Sequence, residues 1–453
     1  MRVVTAGYSL MLSVCLSTIL SGCSLFTGPK KGSNVQFSAA DVISAEVWLK
    51  IGFADSPAGG EYEIKRDGNV VLEGSFNGTD TVVVDTTVEP SRSYIYEGYR
   101  MEEGKAVEES SPVQVTTLDT TTSNFSWELY KFGDLAATGM SSELYGVAVI
   151  NDTDIWAVGK VYTADSVGKY NAIHWDGKKW NLKDIYYDYQ GQSVWGSLRT
   201  ILAINDSDVW FGTNVHWDGG DFQDYPVDPV LLGTEINGMY WSGKGVYVVG
   251  NGGFIANRNP SGAWDKIASG TTEDLFDIYS GNGKEFYVAG GNLFTSASGV
   301  LLEGNENGFN VVAEGRTIQT GSQLFKPYFD GDLATVWVSR NGTVYFGGNW
   351  LYRYTAGQVG FVRTLPGNYW GGNTNGQYWG ALSQVRGISE NDMVLVGERN
   401  TIRYFNGAEW TQLDMPYDPS SDYTWLSVGM TPDMIVAVGY TTNNAVIMIL
   451  RRE

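Results

Sequence analysis

The sequence predicts an all-β protein, in which a small β-sandwich is followed by a seven-bladed β-propeller. Three observations support this prediction: short alternating strand patterns early in the chain, a repeated strand pair through the rest of it, and 57 glycines. Charged residues make up only 18% of the 453 residues and aromatic residues 13%, so most of the chain should fold.

Residues 1–23 carry the features of an export signal. Arg2 precedes an apolar run without charges, and the run ends in the sequence LSGC at residues 20–23. This ending resembles the lipobox of bacterial lipoproteins, whose cysteine is lipidated and becomes the new N-terminus. An ordinary cleaved signal or a membrane anchor is the alternative interpretation.

The lipobox resemblance also implies how the chain begins and where it is located. It implies a lipoprotein signal peptide over residues 1–22, a lipid on Cys23 and a polar tether over residues 23–34. Ser24 resembles the sorting signal for the outer membrane of Gram-negative envelopes. We therefore expect a protein of the bacterial cell envelope, bound to the outer membrane through its lipid anchor.

Cysteine content and charge exclude several classes of function. The chain has two cysteines, Cys15 in the predicted signal peptide and Cys23 in the lipobox. The mature chain would then have no disulfide, no thiol nucleophile and no cysteine ligand for a metal. With 30 Lys and Arg against 51 Asp and Glu, the net charge of −21 repels phosphate backbones, so we expect no nucleic-acid partner.

Residues 35–118 show short alternating apolar runs and no helical period, which is typical of β-strands. Several such runs in so short a region predict a β-sandwich. The pattern resembles a fibronectin type III domain, with Trp48 as its buried tryptophan and Ser111-Pro112 before its last strand. The expected role is that of a spacer, and ligand binding by the sandwich is the alternative.

Residues 124–453 repeat a strand pair, and this region is the predicted propeller. The unit VAVINDTDIWAVG at 147–159 recurs as ILAINDSDVWFG at 201–212, and five looser copies follow. A spacing of about 40–50 residues suits a four-stranded blade, so seven copies predict seven blades. The copies end at Gly159, Gly212, Gly250, Gly290, Gly347, Gly397 and Gly439.

The two ends of the repeat region predict how the ring closes. The seventh copy has a third strand at 445–451, and the chain stops without a fourth. The segment FSWELY at 125–130 matches the fourth-strand sequence WNLK at 180–183. We therefore expect the N-terminal segment to complete the last blade, which would leave no open sheet edge.

The repeat resembles the uncharacterised propeller repeats of bacterial surface lipoproteins, which share an Asp-x-Trp-x-Val-Gly core. This resemblance implies a fold and brings no activity with it. The Ser-x-Asp-x-Gly-x-Thr-Trp turn of sialidase-type propellers does not occur in the sequence, and neither does the Gly-His to Trp-Asp pattern of WD repeats.

Few residues have the character of catalytic or metal-binding groups. His174 and His216 occupy the same repeat position, where another copy has Tyr404, so we expect them to be structural. Outer strands diverge, so two histidines placed there cannot easily meet at one metal ion or one active site. We therefore expect neither a zinc site nor a Ser-His-Asp triad. We predict no cofactor, no metal and no catalytic residue.

Two acidic turns could bind a cation. Residues 151–154 (NDTD) and 205–208 (NDSD) each place several oxygens together, as calcium requires. The favoured interpretation is a hairpin turn in which the Asn side chain accepts hydrogen bonds from nearby backbone groups.

Aromatic residues in three inter-blade connections are the candidate ligand-binding residues. These connections should share one face of the propeller with the loops between second and third strands. Exposed Trp and Tyr suit a glycan or a protein partner, or they could plug the channel or pack on the sandwich. The candidates are Tyr186, Tyr187, Tyr189, Trp195, Tyr369, Trp370, Tyr378, Trp379, Tyr417, Tyr423 and Trp425.

We therefore expect a non-catalytic, lipid-anchored envelope protein whose propeller binds a glycan or an envelope protein through this aromatic face. One alternative is a hydrolase or lyase that acts on polysaccharide with two carboxylates about 5–10 Å apart in the propeller pocket. The other is a structural scaffold in the envelope, which would show a large exposed apolar patch.

Overall fold

The computed structural model describes residues 34–56, 58–292, 298–315, 328–329, 331–348, 350–355, 358–361, 381–413 and 422–453. The described chain is all-β, as predicted, apart from one short α-helix and two 3-10 turns. The signal peptide, Cys23 and most of the tether lie outside these residues. No helix within the described ranges is long and apolar enough to cross a membrane.

The first eight strands form two facing sheets over the predicted sandwich region. They are β1 (Val35–Val42), β2 (Val47–Phe53), β3 (Gly60–Arg66), β4 (Asn69–Phe76), β5 (Asp80–Asp85), β6 (Ser93–Glu102), β7 (Lys105–Glu109) and β8 (Val113–Thr116). One sheet has the order β1-β2-β5, and the other has the order β4-β3-β6-β7 with β8 also paired to β6. Leu49, Ile51, Ile64 and Tyr96 are fully buried between them.

The prediction that Trp48 is the buried tryptophan of this sandwich is wrong. Successive side chains of a strand point to opposite faces, and Val47 and Leu49 on either side of Trp48 are the core residues. Trp48 points outwards, is half-buried, and stacks on Arg353 of the following domain with 4.5 Å between the guanidinium carbon and the ring centre.

A buried carboxylate ties the two sheets of the sandwich together. Asp85, which is 2% exposed, accepts hydrogen bonds from Arg66 Nη1 at 2.7 Å, Tyr96 Oη at 2.8 Å and Thr87 Oγ1 at 2.7 Å. Burial acts to raise the pKa of Asp85, but the hydrogen bonds of Thr87 and Tyr96 and the charge of Arg66 outweigh it, so the pKa lies below its ordinary value.

An Asp85→Asn substitution should lower the free energy of unfolding by about 3 kcal/mol, because it leaves the Arg66 charge without its partner. Since the folded-state pKa of Asp85 is depressed, its stabilisation is complete above the unfolded value of about 4 and is lost as the pH falls through the folded value. Urea unfolding of the full chain between about pH 2 and 7 measures both effects. Asp80→Asn, which breaks the surface pair with Lys50, is the control and should change little. An acid response that is the same in Asp85→Asn and the parent would contradict the prediction.

The rest of the described chain forms seven successive sheets. Strand β9 (Phe125–Phe132) and helix α1 (Leu135–Thr138) come first. Sheet 1 consists of β10 (Glu143–Asn151), β11 (Asp154–Tyr162), β12 (Lys169–Trp175) and β13 (Trp180–Lys183), and a hairpin of β14 (Tyr187–Tyr189) and β15 (Gln192–Val194) follows it. Sheet 2 consists of β16 (Ile201–Asn205), β17 (Asp208–Phe211), β18 (Val215–Trp217) and β19 (Phe222–Asp224).

Sheets 3 and 4 follow the 3-10 turn Pro229–Leu231. Sheet 3 consists of β20 (Ile236–Trp241), β21 (Val246–Gly250), β22 (Phe254–Arg258) and β23 (Trp264–Ile267), with a 3-10 turn at Asn251–Gly253. Sheet 4 consists of β24 (Leu275–Tyr279), β25 (Phe286–Gly290), β26 (Val300–Asn305) and β27 (Gly308–Gly315), and β28 (Tyr328–Phe329) adds a short parallel strand.

Sheets 5 to 7 complete the array. Sheet 5 consists of β29 (Leu333–Val338), β30 (Val344–Gly348), β31 (Leu351–Thr355) and β32 (Gln358–Phe361). Sheet 6 consists of β33 (Leu382–Ser389), β34 (Asp392–Gly397), β35 (Ile402–Phe405) and β36 (Trp410–Gln412). Sheet 7 consists of β37 (Thr424–Thr431), β38 (Met434–Tyr440) and β39 (Ala445–Arg452), with β9 as its fourth strand.

The predicted pairing between the two ends of this region is present. β9 and β39 are antiparallel over their whole length, with Trp127 opposite Leu450 and Ser126 opposite Arg451. Apolar clusters fill the space between neighbouring sheets, and one of them joins Ile447 of sheet 7 to Ile155 of sheet 1. The last sheet therefore packs on the first, and the array closes on itself.

The sheets define two faces of this array. The connection face carries the loops between second and third strands and the segments that link one sheet to the next. The turn face carries the other loops, and the sandwich packs on it: Ile43 joins an apolar cluster with Tyr345 of sheet 5 and Phe405 of sheet 6. The alternative that the aromatic connections pack on the sandwich therefore fails for the described connections.

A glycine at the end of the second strand recurs because the first strand lies very close to it. Opposite this glycine the first strand begins with a β-bulge, so a side chain on Gly159, for example, would collide with the Glu143 carbonyl. Gly250, Gly290, Gly397 and Gly439 have the same geometry. In sheet 5 the equivalent residue is Gly348 rather than the predicted Gly347. In sheet 2 Phe211 lies opposite Ile201, so this sheet has neither the bulge at the start of its first strand nor the glycine opposite it.

Candidate functional site

A central cavity of about 470 Å³ lies where the first strands of the seven sheets converge. Residues at or near the start of the first strand line it in all seven sheets, and in β20 and β24 the lining continues to Trp241 and Tyr279 at the strand end. The cavity therefore begins at the connection face and extends along the channel on the side of sheets 3 and 4. The sequence indicated only a propeller channel and did not identify any of the lining residues.

The β-bulges determine which side chains line the cavity. In six of the seven sheets the first strand has one extra residue near its start, and a bulge re-aims the side chain that it displaces. The residue before the bulge is apolar, and the bulged residue itself is half-buried and lines the cavity. The six bulged residues are Tyr145, Asn237, Phe276, Ala334, Ser383 and Leu426.

Among the lining residues, an ion pair joins sheets 4 and 6 in front of sheet 5, which lies between them. Arg386 of sheet 6 donates from Nη1 to Asp277 Oδ2 at 2.9 Å and from Nη2 to Asp277 Oδ1 at 3.0 Å, which reaches across to sheet 4. Asp277 also accepts from Thr335 Oγ1 at 2.9 Å and from the Val336 N–H at 3.0 Å, so all three sheets meet at this carboxylate. Burial acts to lower the pKa of Arg386, but Asp277 outweighs it, and the pKa lies above its ordinary value.

The residue after each bulge links one sheet to the next. On one side of the ring it is a polar side chain that accepts a backbone N–H: Thr335 Oγ1 from Val385 at 3.1 Å and Gln384 Oε1 from Val428 at 2.7 Å. In sheets 1 and 3 it is a glycine, which lets the backbone of the next sheet approach. The side chains of Asp277, Thr335, Gln384 and Ser427 on the side of sheets 4 to 7 are thus hydrogen-bonded within the protein.

Arg199, on the side of sheets 1 to 3, is the most exposed residue of the cavity lining. Arg199 of the connection before β16 is 56% exposed, and its Nε donates to Glu235 Oε1 at 3.0 Å. Its guanidinium carbon lies 5.1 Å from the ring centre of Tyr145. The exposed Arg199 guanidinium can therefore offer hydrogen bonds at the edge of the cavity. The Tyr145 hydroxyl instead donates to Glu143 Oε2 at 2.7 Å, and Asn237 Nδ2 donates to Asn251 Oδ1 at 2.8 Å and to the Leu275 carbonyl at 2.9 Å.

The connection between sheets 1 and 2 carries exposed aromatic residues on the connection face, as predicted. The buried Asn171 fixes both of its ends, because its side chain bonds Ile185 N–H and the carbonyls of Ile185 and Gly196 at 2.8–2.9 Å. Tyr186 and Tyr189 are about half exposed.

The other two aromatic residues of this connection are held more firmly. Tyr187 packs partly into the cluster between sheets 1 and 2. Lys169 Nζ lies over the Trp195 and Tyr186 rings, 4.8 and 5.8 Å from their centres. Tyr186 and Trp195 therefore form one patch with Lys169 on the connection face, and the exposed Tyr189 lies in the same connection.

The prediction that Tyr423 and Trp425 are exposed on this face is wrong. Trp425 is fully buried, because it occupies the position before a bulge, where sheets 1, 4, 5 and 6 have leucine. Tyr423 stacks on it with ring centres 5.6 Å apart and is 4% exposed. Both residues belong to the core between sheets 6 and 7. The remaining candidates, Tyr369, Trp370, Tyr378, Trp379 and Tyr417, lie outside the described residues.

The histidines have the structural role that the sequence predicted. His174 Nε2 and His216 Nε2 each lie 2.9 Å from the aspartate of the Asp-x-Trp motif in the neighbouring strand. Tyr404 donates to the equivalent Asp392 at 2.8 Å, which explains why histidine and tyrosine share this position.

The acidic turns are Asx turns, as favoured from the sequence. Asn151 Oδ1 accepts from Thr153 N–H at 2.9 Å and from its hydroxyl at 2.8 Å, and Asn205 bonds Ser207 in the same way. In the part of the chain that the structure describes, no group of three His, Cys, Asp or Glu side chains could hold a metal ion.

Comparisons with known proteins give similarity in fold. No family model matches the chain, and no curated protein matches it. One solved structure, YCF48 bound to D1 peptide, is 12% identical with a TM-score of 0.50, and the alignment covers 74% of this chain and 100% of that chain. YCF48 from Cyanidioschyzon merolae is 10% identical with a TM-score of 0.46, over 72% of this chain and 98% of that chain. At 12% identity the first similarity shows a β-propeller-like fold alone.

Proposed function

We propose that this protein is a lipid-anchored, non-catalytic binding protein of the bacterial cell envelope, and that its cavity takes an extended segment of a partner protein. The observation that carries the proposal is the ring of six bulged side chains around a cavity whose edge carries the exposed Arg199 guanidinium beside the Tyr145 ring. We further assign a closed seven-bladed propeller and a fibronectin type III-like sandwich.

The assignment of the two domains draws on several contacts. Seven sheets with an apolar cluster between each neighbouring pair support seven blades. In the sandwich, the Tyr94 hydroxyl accepts the Glu89 backbone N–H at 2.8 Å, which is the tyrosine corner of immunoglobulin-like sandwiches.

The charges in the cavity favour binding over catalysis. A glycosidase needs two carboxylates that face each other across the substrate. Asp277 is the one carboxylate among the described lining residues, and Arg386 and three other donors already occupy it. This arrangement supports binding more than the polysaccharide hydrolase or lyase alternative.

A protein segment fits the cavity better than a glycan does. Phe276, Leu426 and Tyr145 are separated around the wall, which suits side chains along an extended peptide. YCF48, a propeller similar in fold, was solved with a peptide bound. The connection that carries Tyr186, Tyr189 and Trp195 at the outer edge keeps glycan binding as the alternative.

Photo-crosslinking in the native envelope would test this proposal. A benzoylphenylalanine at Phe276 should form adducts that protease digests, and Ala334→Trp, which fills the cavity, should reduce these adducts at least tenfold. Lys178→Trp on the turn face is the matched control and should leave them unchanged. Adducts that persist in Ala334→Trp would overturn the cavity proposal, and adducts that only glycosidases digest would favour the glycan alternative.

A further inference from the structure

We infer that the sandwich is a rigid support that holds the cavity away from the anchoring membrane, so that the partner segment approaches from the compartment beyond the protein. This inference rests on the proposed lipid anchor and binding cavity. It is argued from the contacts between the sandwich and the turn face, from the course of β1, and from the position of the cavity.

The loop between β1 and β2 inserts into the propeller. Ile43, which is 3% exposed, packs with Trp337 and Tyr345 of sheet 5 and with Phe405 and Trp410 of sheet 6. Burial of such a side chain contributes about 1.5–3 kcal/mol to the contact. The contact is apolar and buried at its centre, unlike that of two domains joined only by a tether.

Buried charges surround this apolar contact and fix its orientation. Arg353 of β31 pairs with Asp41 and, at 3.4 Å, with Glu46, and these three residues are 3–7% exposed. Asp41 Oδ2 also accepts the Thr343 hydroxyl at 2.7 Å, and the guanidinium stacks on Trp48. Any rotation of the sandwich would separate buried opposite charges, which costs several kcal/mol.

The segment between the two domains is also held down. Thr121 Oγ1 donates to the Asn391 carbonyl at 2.7 Å, and Asn391 Nδ2 donates to the Asp119 carbonyl at 2.7 Å. Arg452, at the end of the closing strand, donates from Nη1 to the Thr122 carbonyl at 3.1 Å, and its Nη2 lies 2.9 Å from both carboxylate oxygens of Asp392. The segment therefore follows the turn face and is no flexible hinge.

The course of β1 places the tether at the far end of the sandwich. β1 begins at Val35 and ends at Val42, directly before the inserted Ile43. A strand rises about 3.3 Å per residue, so the start of β1 lies more than 20 Å from the interface. The start of β1, the sandwich, the turn face and the connection face thus follow one another in this order, and all seven sheets line the connection-face end of the cavity.

This order of the domains and faces determines which kind of partner can reach the cavity. The turn-face end of the channel lies on the side that carries the sandwich, whereas the connection-face end of the cavity lies on the opposite side and is lined by all seven sheets. This end is open to soluble proteins and to segments that extend across the envelope space.

Distance measurements by electron spin resonance would test the rigid orientation without a membrane. In the full chain with Cys15→Ser and Cys23→Ser no other cysteine remains, so introduced pairs can be labelled uniquely. Labels at Gln36→Cys and Val167→Cys report the distance to the connection face, and labels at Gln36→Cys and Lys178→Cys report the distance to the turn face. Both distances should be narrowly distributed, and the first should exceed the second by at least about 10 Å, since β12 between the two faces spans about 20 Å.

Two further measurements separate the possible failures. Ile43→Asp should broaden both distributions while circular dichroism shows that the strands remain, and broad distributions in the parent protein would overturn the rigid orientation. Independently, Cys23→Ser alone should release the protein from the membrane fraction or leave the precursor uncleaved. Unchanged membrane association would contradict the lipid anchor and leave the measured orientation intact.

Discussion

A Ser126→Cys/Arg451→Cys variant should form an intramolecular disulfide and become more stable by as much as about 5 kcal/mol. The two residues lie directly opposite each other in β9 and β39, and neither is in the core. The crosslink would close a loop of roughly 325 residues, and the entropy that it removes from the unfolded chain grows with loop length. The background is the Cys15→Ser/Cys23→Ser chain, and urea unfolding with and without reductant measures the gain.

A displaced cysteine pair provides the control for this experiment. Lys131 is in the same strand as Ser126 but about 17 Å further along it, beyond the reach of a disulfide. Lys131→Cys/Arg451→Cys should therefore remain reduced under the same conditions. Equal crosslinking of both pairs, or none in the first, would mean that the two ends of the region do not pair in this register.

An Asp277→Asn substitution should lower the free energy of unfolding by about 3–5 kcal/mol, because it leaves the Arg386 guanidinium inside the channel without a counter-charge. Arg386→Met should cost a similar amount for the opposite reason. Since the two residues form one pair, the double variant should cost less than the sum of the single variants by at least about 1 kcal/mol. Urea unfolding of the four proteins at neutral pH measures this coupling.

The exposed pair of Arg199 and Glu235 is the matched control. Arg199→Gln removes an ion pair of similar length, but solvent screens it, so the expected change is within about 1 kcal/mol. If Asp277→Asn is no more destabilising than Arg199→Gln, the ion pair of Asp277 and Arg386 does not join sheets 4 and 6 as described.

The repeat residues predicted the architecture well because each has a local cause in the backbone. Gly159 and its equivalents mark the place where two strands approach most closely, and the Asp-x-Trp aspartate accepts the hydrogen bond of His174 in the adjacent strand. The match between residues 125–130 and 180–183 predicted the pairing of β9 with β39, since strands in equivalent blade positions have the same packing neighbours.

The candidate site was predicted less well, because exposure depends on the neighbouring sheet. The sequence alone assigns Trp425 to an irregular connection. In the fold it occupies the same position before the bulge as Leu144 and Leu382, and the difference in side-chain size hides this equivalence in the sequence. The recurrent glycine was a signal for the bulge opposite it, and with that rule Tyr145 and Phe276 could have been identified as cavity residues.

The docking of the sandwich had no sequence signal of this kind. Arg353 and Asp41 are about three hundred residues apart, and each looks like an ordinary strand residue until the fold brings them together. Trp48 follows the strand alternation and points away from the sandwich core. The reason for an outward tryptophan is visible only in the fold, where it packs against the surface of another domain.

The extra residue in each inner strand has a consequence for how this protein can diversify. Six sheets place six different side chains at that point, and neither the ladder nor the clusters between sheets depend on which side chain is present. Substitution there can change what is recognised while the preceding apolar residue and the opposing glycine keep the ring intact. If the cavity binds a partner as proposed, recognition and folding are encoded at adjacent positions, except at Asn237, whose side chain also bonds the Leu275 carbonyl of the next sheet. New specificities could then arise one blade at a time.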